Sequence, residues 1–177
     1  MVPGASSQVM GDMGELGLVR EDRLEALYRG AVGRAELLAR ALTGDPHFAQ
    51  DIAHEAFIRV AGRFGHLRDP GAFESYLRRT VVNLCRSHFR KLGAERRSLQ
   101  RLGVADEVSP DQSPEDRDAV WTAIQRLPYR QRAAVVLRFY EDLSEAETGA
   151  ILRCSARAVN SLVSRAMTSL REEMGDS

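Results

Sequence analysis

From Arg23 onward the apolar positions of this chain recur three and four residues apart. Leu24, Leu27, Tyr28, Ala31, Leu38 and Leu42 keep that spacing through a segment ending near "LTGDP". A stripe of this kind is one face of a 3.6-residue period, so the segment is predicted to be a helix. Phe48, Ile52, Ala53, Ala56, Val60 and Phe64 make a second stripe. In front of it Asp45 is a good N-cap, and Pro46 takes the first helical position, where a missing N–H costs nothing. The device repeats with Asp69 and Pro70, and Phe73, Leu77, Val81, Leu84 and His88 form the inward line of a third helix.

Further along, Trp121, Ile124 and Leu127 lead to "LP", and Ala134, Val135 and Leu137 continue in the next helix. Ser144 and Glu147 have the spacing of a capping box for the helix after that. A turn at Arg153 and Cys154 follows, and Ser155 caps a last helix that buries Val159, Leu162, Val163, Ala166 and Leu170. No run of alternating β-branched and aromatic residues bounded by turn residues occurs, so the expected class is all-α.

Between the two helical blocks the pattern stops. "GVADEVSPDQSPEDRD" carries six acidic residues, two prolines and one arginine with no apolar period, which is the composition of a solvated tether. The expected organisation is a loose leader over 1–21, a helical unit over 22–101, an acidic linker over 102–117 and a second helical unit over 118–174.

Composition narrows the function. Of 177 residues, 25 are Lys or Arg and 25 are Asp or Glu, for a formal net charge of +0. A protein that grips free DNA tightly by itself usually carries excess positive charge, because phosphate neutralisation drives that affinity. Neutrality argues against such a binder but permits segregated charge. Cys85 and Cys154 form no CxxC pair and fit a reducing compartment; Cys85 reads as a small core residue and Cys154 as packing at a turn. No signal core or membrane-length apolar stretch is present, so the expected location is cytoplasmic.

Three faces carry candidate chemistry. "LSEAETGAILRCSARAVNSLVSRAMTSL" has the spacing of a helix-turn-helix whose second helix turns Arg157, Asn160, Ser161, Ser164 and Thr168 outward, with Arg165 at the margin. Short polar and Arg side chains in such a row reach base edges and phosphates; a plain helical hairpin with a solvated face has the same period. In "SYLRRTVVNLCRSHFRKLGAERR", Arg79, Asn83, Arg86 and Arg90 fall on one narrow face, and three guanidiniums around an amide suit phosphate positioning with one base-reading group. On the helix before it, Asp51, His54, Glu55, Ile58 and Arg59 share an outward face. Position 58 is Ile, so "HEAFI" lacks the second His of a metallopeptidase, and an apolar residue among charges suits a partner surface. No metal or cofactor site and no catalytic constellation is apparent.

The stretch "LPYRQRAAVVLRFYEDLSEAETGAILRCSARAVNSLVSRAMTSLRE" resembles the fourth region of bacterial RNA polymerase sigma factors of the extracytoplasmic-function (ECF) group. "DPHFAQDIAHEAFIRV…FESYLRRTVVNLCRSHFRK" is similar to their second region. The resemblance implies an alternative sigma factor, not an enzyme, that binds core RNA polymerase, reads two promoter elements and assists melting. By matching position Arg138, Asn160, Ser161 and Arg165 contact the minus-35 element. Asn83 lies near the pocket for an extruded minus-10 base, and Arg79, Arg86 and Arg90 hold the backbone. The Asp51–Arg59 face docks on the clamp coiled coil. Core polymerase and promoter DNA are the implied partners; many members are held inactive by an anti-sigma factor, which makes one a candidate partner. The chain departs from the family at Arg153, where Gly is usual, at Arg157 and Ala158 in place of Gly-Thr, and at Asn160 and Leu162, where cations are common. Those losses keep two rivals open: a stand-alone helix-turn-helix regulator, and a degenerate sigma-like protein acting through protein contacts.

Overall fold

The computed structural model describes residues 9–63, 70–101 and 119–175, and among them no strand occurs. Helices α1 (Val9–Thr43), α2 (Pro46–Ala61) and α3 (Pro70–Arg101) form the first unit. The second comprises α4 (Ala119–Arg126), α5 (Tyr129–Val135), α6 (Glu145–Leu152) and α7 (Ala156–Gly175). The all-α expectation and the two helical blocks are both met. The leader expected over 1–21 is corrected only from Val9 onward, where α1 is helical, and residues 1–8 lie outside the described residues. Extending an existing helix adds one hydrogen bond per residue fixed and avoids the nucleation cost, so a segment without an apolar stripe can continue it. The expected Asp69 cap, Phe64 and the acidic linker lie outside the described residues.

Punctuation read from the sequence appears as hydrogen bonds. Asp45 Oδ1 accepts from His47 N at 2.9 Å and Phe48 N at 3.1 Å. Ser144 N donates to Glu147 Oε2 at 2.8 Å, and Glu147 N donates to Ser144 Oγ at 3.2 Å. The Ser144 hydroxyl also donates to Glu147 Oε2, at 2.5 Å, and this bond, with the one from Ser144 N, holds the Glu147 carboxyl below its usual range. In the first unit Leu38, Leu42, Ile52, Val60, Phe73, Leu77 and Val81 are buried. Phe57 meets Phe73 edge to face at 5.7 Å. Each large apolar side chain removed from water here contributes about 1.5–3 kcal/mol.

After α5 the chain widens into a π-helical turn, Val136–Tyr140, closed by Glu141 N donating to Val136 O at 3.0 Å. The extra residue in this turn leaves Phe139 and Tyr140 exposed while Val136 and Leu137 remain buried.

The two units also pack on each other, and one apolar core runs through both. Gln125 Nε2 donates to Ala41 O at 2.7 Å, and Arg132 donates to Leu42 O at 2.6 Å. Together they satisfy two of the carbonyls that the C-terminus of α1 leaves open. Tyr129 Oη donates to Val82 O at 2.7 Å, and Arg78 Nε meets Glu141 Oε2 at 2.7 Å.

Candidate nucleic-acid interface

The helix-turn-helix is built by α6 and α7. Its turn is tight: Cys154 N donates to Gly149 O at 2.9 Å, and a Cβ placed on Gly149 would sit 2.6 Å from Cys154 O. Arg153 adopts φ 55°, ψ 54°, the left-handed conformation that ends α6. It does so where glycine is the cheapest residue. Val159, Ala166 and Leu170 are buried, and Arg157, Asn160, Ser161, Ser164, Arg165 and Thr168 are all exposed, as the spacing predicts. Asn160 Nδ2 donates to Glu145 Oε1 at 3.1 Å, and Arg165 Nε donates to Ser161 O at 3.2 Å. Arg138 stands apart from this row. It is half-buried, and its guanidinium donates to Leu143 O inside the turn before α6.

The polar face of α3 divides among three concavities. Asn83 lines a cavity of about 460 Å³ with Arg59, Arg63, Tyr76, Thr80 and Leu84. Arg86 and Arg90 line another, at the seam between the units. Arg79 turns to the helix-turn-helix, where its Nη2 donates to Ala150 O at 2.7 Å in a cleft shared with Glu147.

On α2, Asp51, Glu55, Ile58 and Arg59 are exposed, and Ile58 keeps 70% of its surface. Glu55 and Arg59 pair across one turn. His54 is different: it is half-buried, stacked on Tyr28 with ring centroids 5.9 Å apart, and its Nε2 lies 2.5 Å from Tyr28 Oη. It supports α1 as well as edging the face.

Burial tunes several groups behind these surfaces. Cys85 is fully enclosed, and burial pushes its thiol up to about 12, in keeping with a core residue. Burial also raises the Tyr129 hydroxyl. It lowers His88, whose ring lies 3.8 Å from Phe48, against the opposing charges of Asp45 and Glu95.

The residue that the apolar spacing left out is Arg132. It is 7% exposed and lies 5.0 Å from the Phe89 ring. Besides Leu42 O it donates to Gln125 Oε1 at 2.9 Å, Gln125 O at 2.5 Å and Leu127 O at 3.2 Å. Burial lowers its pKa, yet a guanidinium so placed stays charged. Its spacing three and four residues before buried Val135 and Val136 put it on the inward face and was the available signal.

Two family models match this architecture: Sigma-70 region 2 over residues 27–95, and Sigma-70, region 4 over residues 117–170. The chain is 35% identical over 136 residues to the RNA polymerase sigma-E factor of Streptomyces avermitilis, covering 77% of this chain and 76% of that protein. The chain belongs to the ECF family of RNA polymerase sigma factors. The ECF RNA polymerase sigma factor SigW of Bacillus subtilis is 29% identical over 153 residues, 78% of this chain and 82% of that one. The fold is also that of the sigma factor RpoE from Bartonella quintana, solved in complex with the anti-sigma factor NepR. That match has a TM-score of 0.67 at 19% identity, over 85% of this chain and 96% of that one. As an ECF sigma factor the protein directs RNA polymerase to promoters. No described helix is long and apolar enough to cross a membrane.

Proposed function

We propose a division of labour within this sigma factor. Residues 22–101 dock on core polymerase through Asp51, Glu55, Ile58 and Arg59, with His54 at the edge, and hold the melted minus-10 element. Residues 118–174 read the minus-35 element through Arg157, Asn160, Ser161, Ser164 and Arg165, with Arg138 bracing the turn beneath them. The chain acts in the cytoplasm and contributes no catalytic residue; phosphoryl transfer belongs to the polymerase. An anti-sigma factor is a fitting further partner.

The observation that carries this reading is the cavity at Asn83. It joins an amide able to pair with a base edge, the Tyr76 ring, and the Arg59 and Arg63 guanidiniums. An unstacked base needs a polar edge partner, a stacking face and cations for its flanking phosphates. The exposed row on α7 supplies polar contacts with few cations. A factor carried to DNA by polymerase needs little affinity of its own, because two weak contacts joined through a common partner act as one strong site.

Docking is tested by exchanging Asp51 and Glu55 for Lys together. Both are exposed, so the fold is expected to persist while affinity for core polymerase falls at least about tenfold, a loss of about 1.4 kcal/mol. Unchanged affinity sinks the docking face. Asn83→Ala, by contrast, is expected to slow open-complex formation and leave core binding intact.

A further inference from the structure

A concavity of about 850 Å³ lies at the seam, between the C-terminal half of α3 and the start of α5. Arg86, Arg90, Lys91 and Arg97 line it from α3, and Arg130 from α5. Among the described residues no carboxylate lines it. Among the described residues none of the five has an ion-pair or hydrogen-bond partner, whereas Arg29, Arg34, Arg59, Arg78 and Arg126 are all ion-paired. In a chain with equal numbers of acidic and basic residues, five uncompensated cations around one concavity are a marked segregation of charge. Like charges held together raise the energy of the empty site and focus a positive potential into it. Phe89 and Tyr129 supply an aromatic wall, with their rings 5.2 Å apart.

We propose that this groove binds an anion with closely spaced phosphates, and that its occupant clamps the two units together. The site rests on the reading of α3 as a phosphate-binding helix only for Arg86 and Arg90; Lys91, Arg97 and Arg130 extend it to a new location. Four or five cations in one concavity exceed what a single phosphate can engage, and they match a run of them. The phosphates come either from a small polyphosphate or from the backbone of a single strand, which the rings would also favour. Because Tyr129 and Arg130 belong to the second unit, the groove is complete only while the units are docked. A ligand that binds one arrangement and not the other shifts the population toward it. In the docked arrangement Arg79 is engaged with Ala150 O beside Glu147, so the clamped form withholds one of the minus-10 cations.

The test is titration calorimetry on the full chain at about 0.15 M salt, where long-range attraction is screened within about 8 Å. The probes are inorganic tripolyphosphate and, separately, a ten-nucleotide single-stranded DNA. Arg97→Ala and Arg130→Ala alter exposed side chains and are expected to preserve the fold, as circular dichroism will check. Each is expected to weaken tripolyphosphate binding at least about fivefold, the order of one charge-assisted contact. Arg157→Ala, on the far helix-turn-helix face, is expected to leave it unchanged. Gln125→Ala, which removes the side-chain bonds to Ala41 O and to Arg132 and lies outside the groove lining, is expected to weaken binding because it loosens docking. If only the oligonucleotide binds, with the same dependence on Arg97 and Arg130, the site stands and a strand is the source of its phosphates. An equal loss in Arg157→Ala, or no binding of either probe, overturns the site. Full affinity in Gln125→Ala overturns the clamp. None of these outcomes moves core-polymerase affinity, which Asp51 and Glu55 test independently.

Discussion

Two neighbouring residues in the helix-turn-helix turn make opposite predictions. Arg153 holds a left-handed conformation in which an L side chain crowds its own carbonyl. Arg153→Gly relieves that strain while making the unfolded chain more flexible, and the two effects oppose. Strain is the larger, so the variant is expected to gain about 0.5–1 kcal/mol, read as a higher urea midpoint with unchanged slope. Gly149 is the reverse case, because any Cβ there would lie 2.6 Å from the Cys154 carbonyl. Backbone on both sides cannot swing away as a side chain can, so Gly149→Ala is expected to lose about 1–3 kcal/mol in the same titration. A neutral Gly149→Ala would show the turn to be looser than described. The two substitutions together locate the constraint: at residue 149 it is space, and at residue 153 it is backbone conformation.

Among the elements, α2 is the one whose start the sequence marked most clearly. Asp45→Ala removes the acceptor for His47 N and Phe48 N and leaves those donors to water. The expected cost is about 1 kcal/mol in thermal unfolding, and Asp45→Asn is expected to recover most of it. Caps and stripes were legible because each uses residues close together in sequence, with a fixed offset. The exposed row of α7 was legible for the same reason, as was the Asn83 face of α3. Three features were not. The helical extension back to Val9 has no stripe, since a helix continued from a stable one needs none. His54 sits at an outward offset but is drawn against Tyr28, twenty-six positions earlier. Arg138 occupies a position that the family resemblance assigns to DNA, yet its guanidinium reaches Leu143 O. For His54 and Arg138 a contact distant in sequence, or closed by an irregular turn, decides where the side chain goes, and periodicity carries no record of it.

For the whole molecule, what the pattern could not reveal is that the two units dock. The seam is held by long polar side chains reaching backbone carbonyls, as Gln125, Tyr129 and Arg132 do, and carbonyls have no residue identity to read. One seam contact pairs two side chains of opposite charge, Arg78 and Glu141, 63 positions apart. Both are mostly buried, at 21% and 15% exposure, so their attraction is less screened than that of the exposed pairs on α1 and α2. Arg78→Glu or Glu141→Arg alone places like charges in contact and is expected to loosen the seam. The double exchange restores attraction with the signs swapped. A double-mutant cycle on unfolding free energy should then give a coupling of about 1–2 kcal/mol. Small-angle scattering should show both single variants expanded and the swapped pair compact. If docking joins the units into one cooperative body, wild type and the swapped pair unfold in a single transition and the single variants in two. Single variants as compact as wild type would mean that Arg78 and Glu141 merely lie close together, leaving Gln125, Tyr129 and Arg132 to hold the seam.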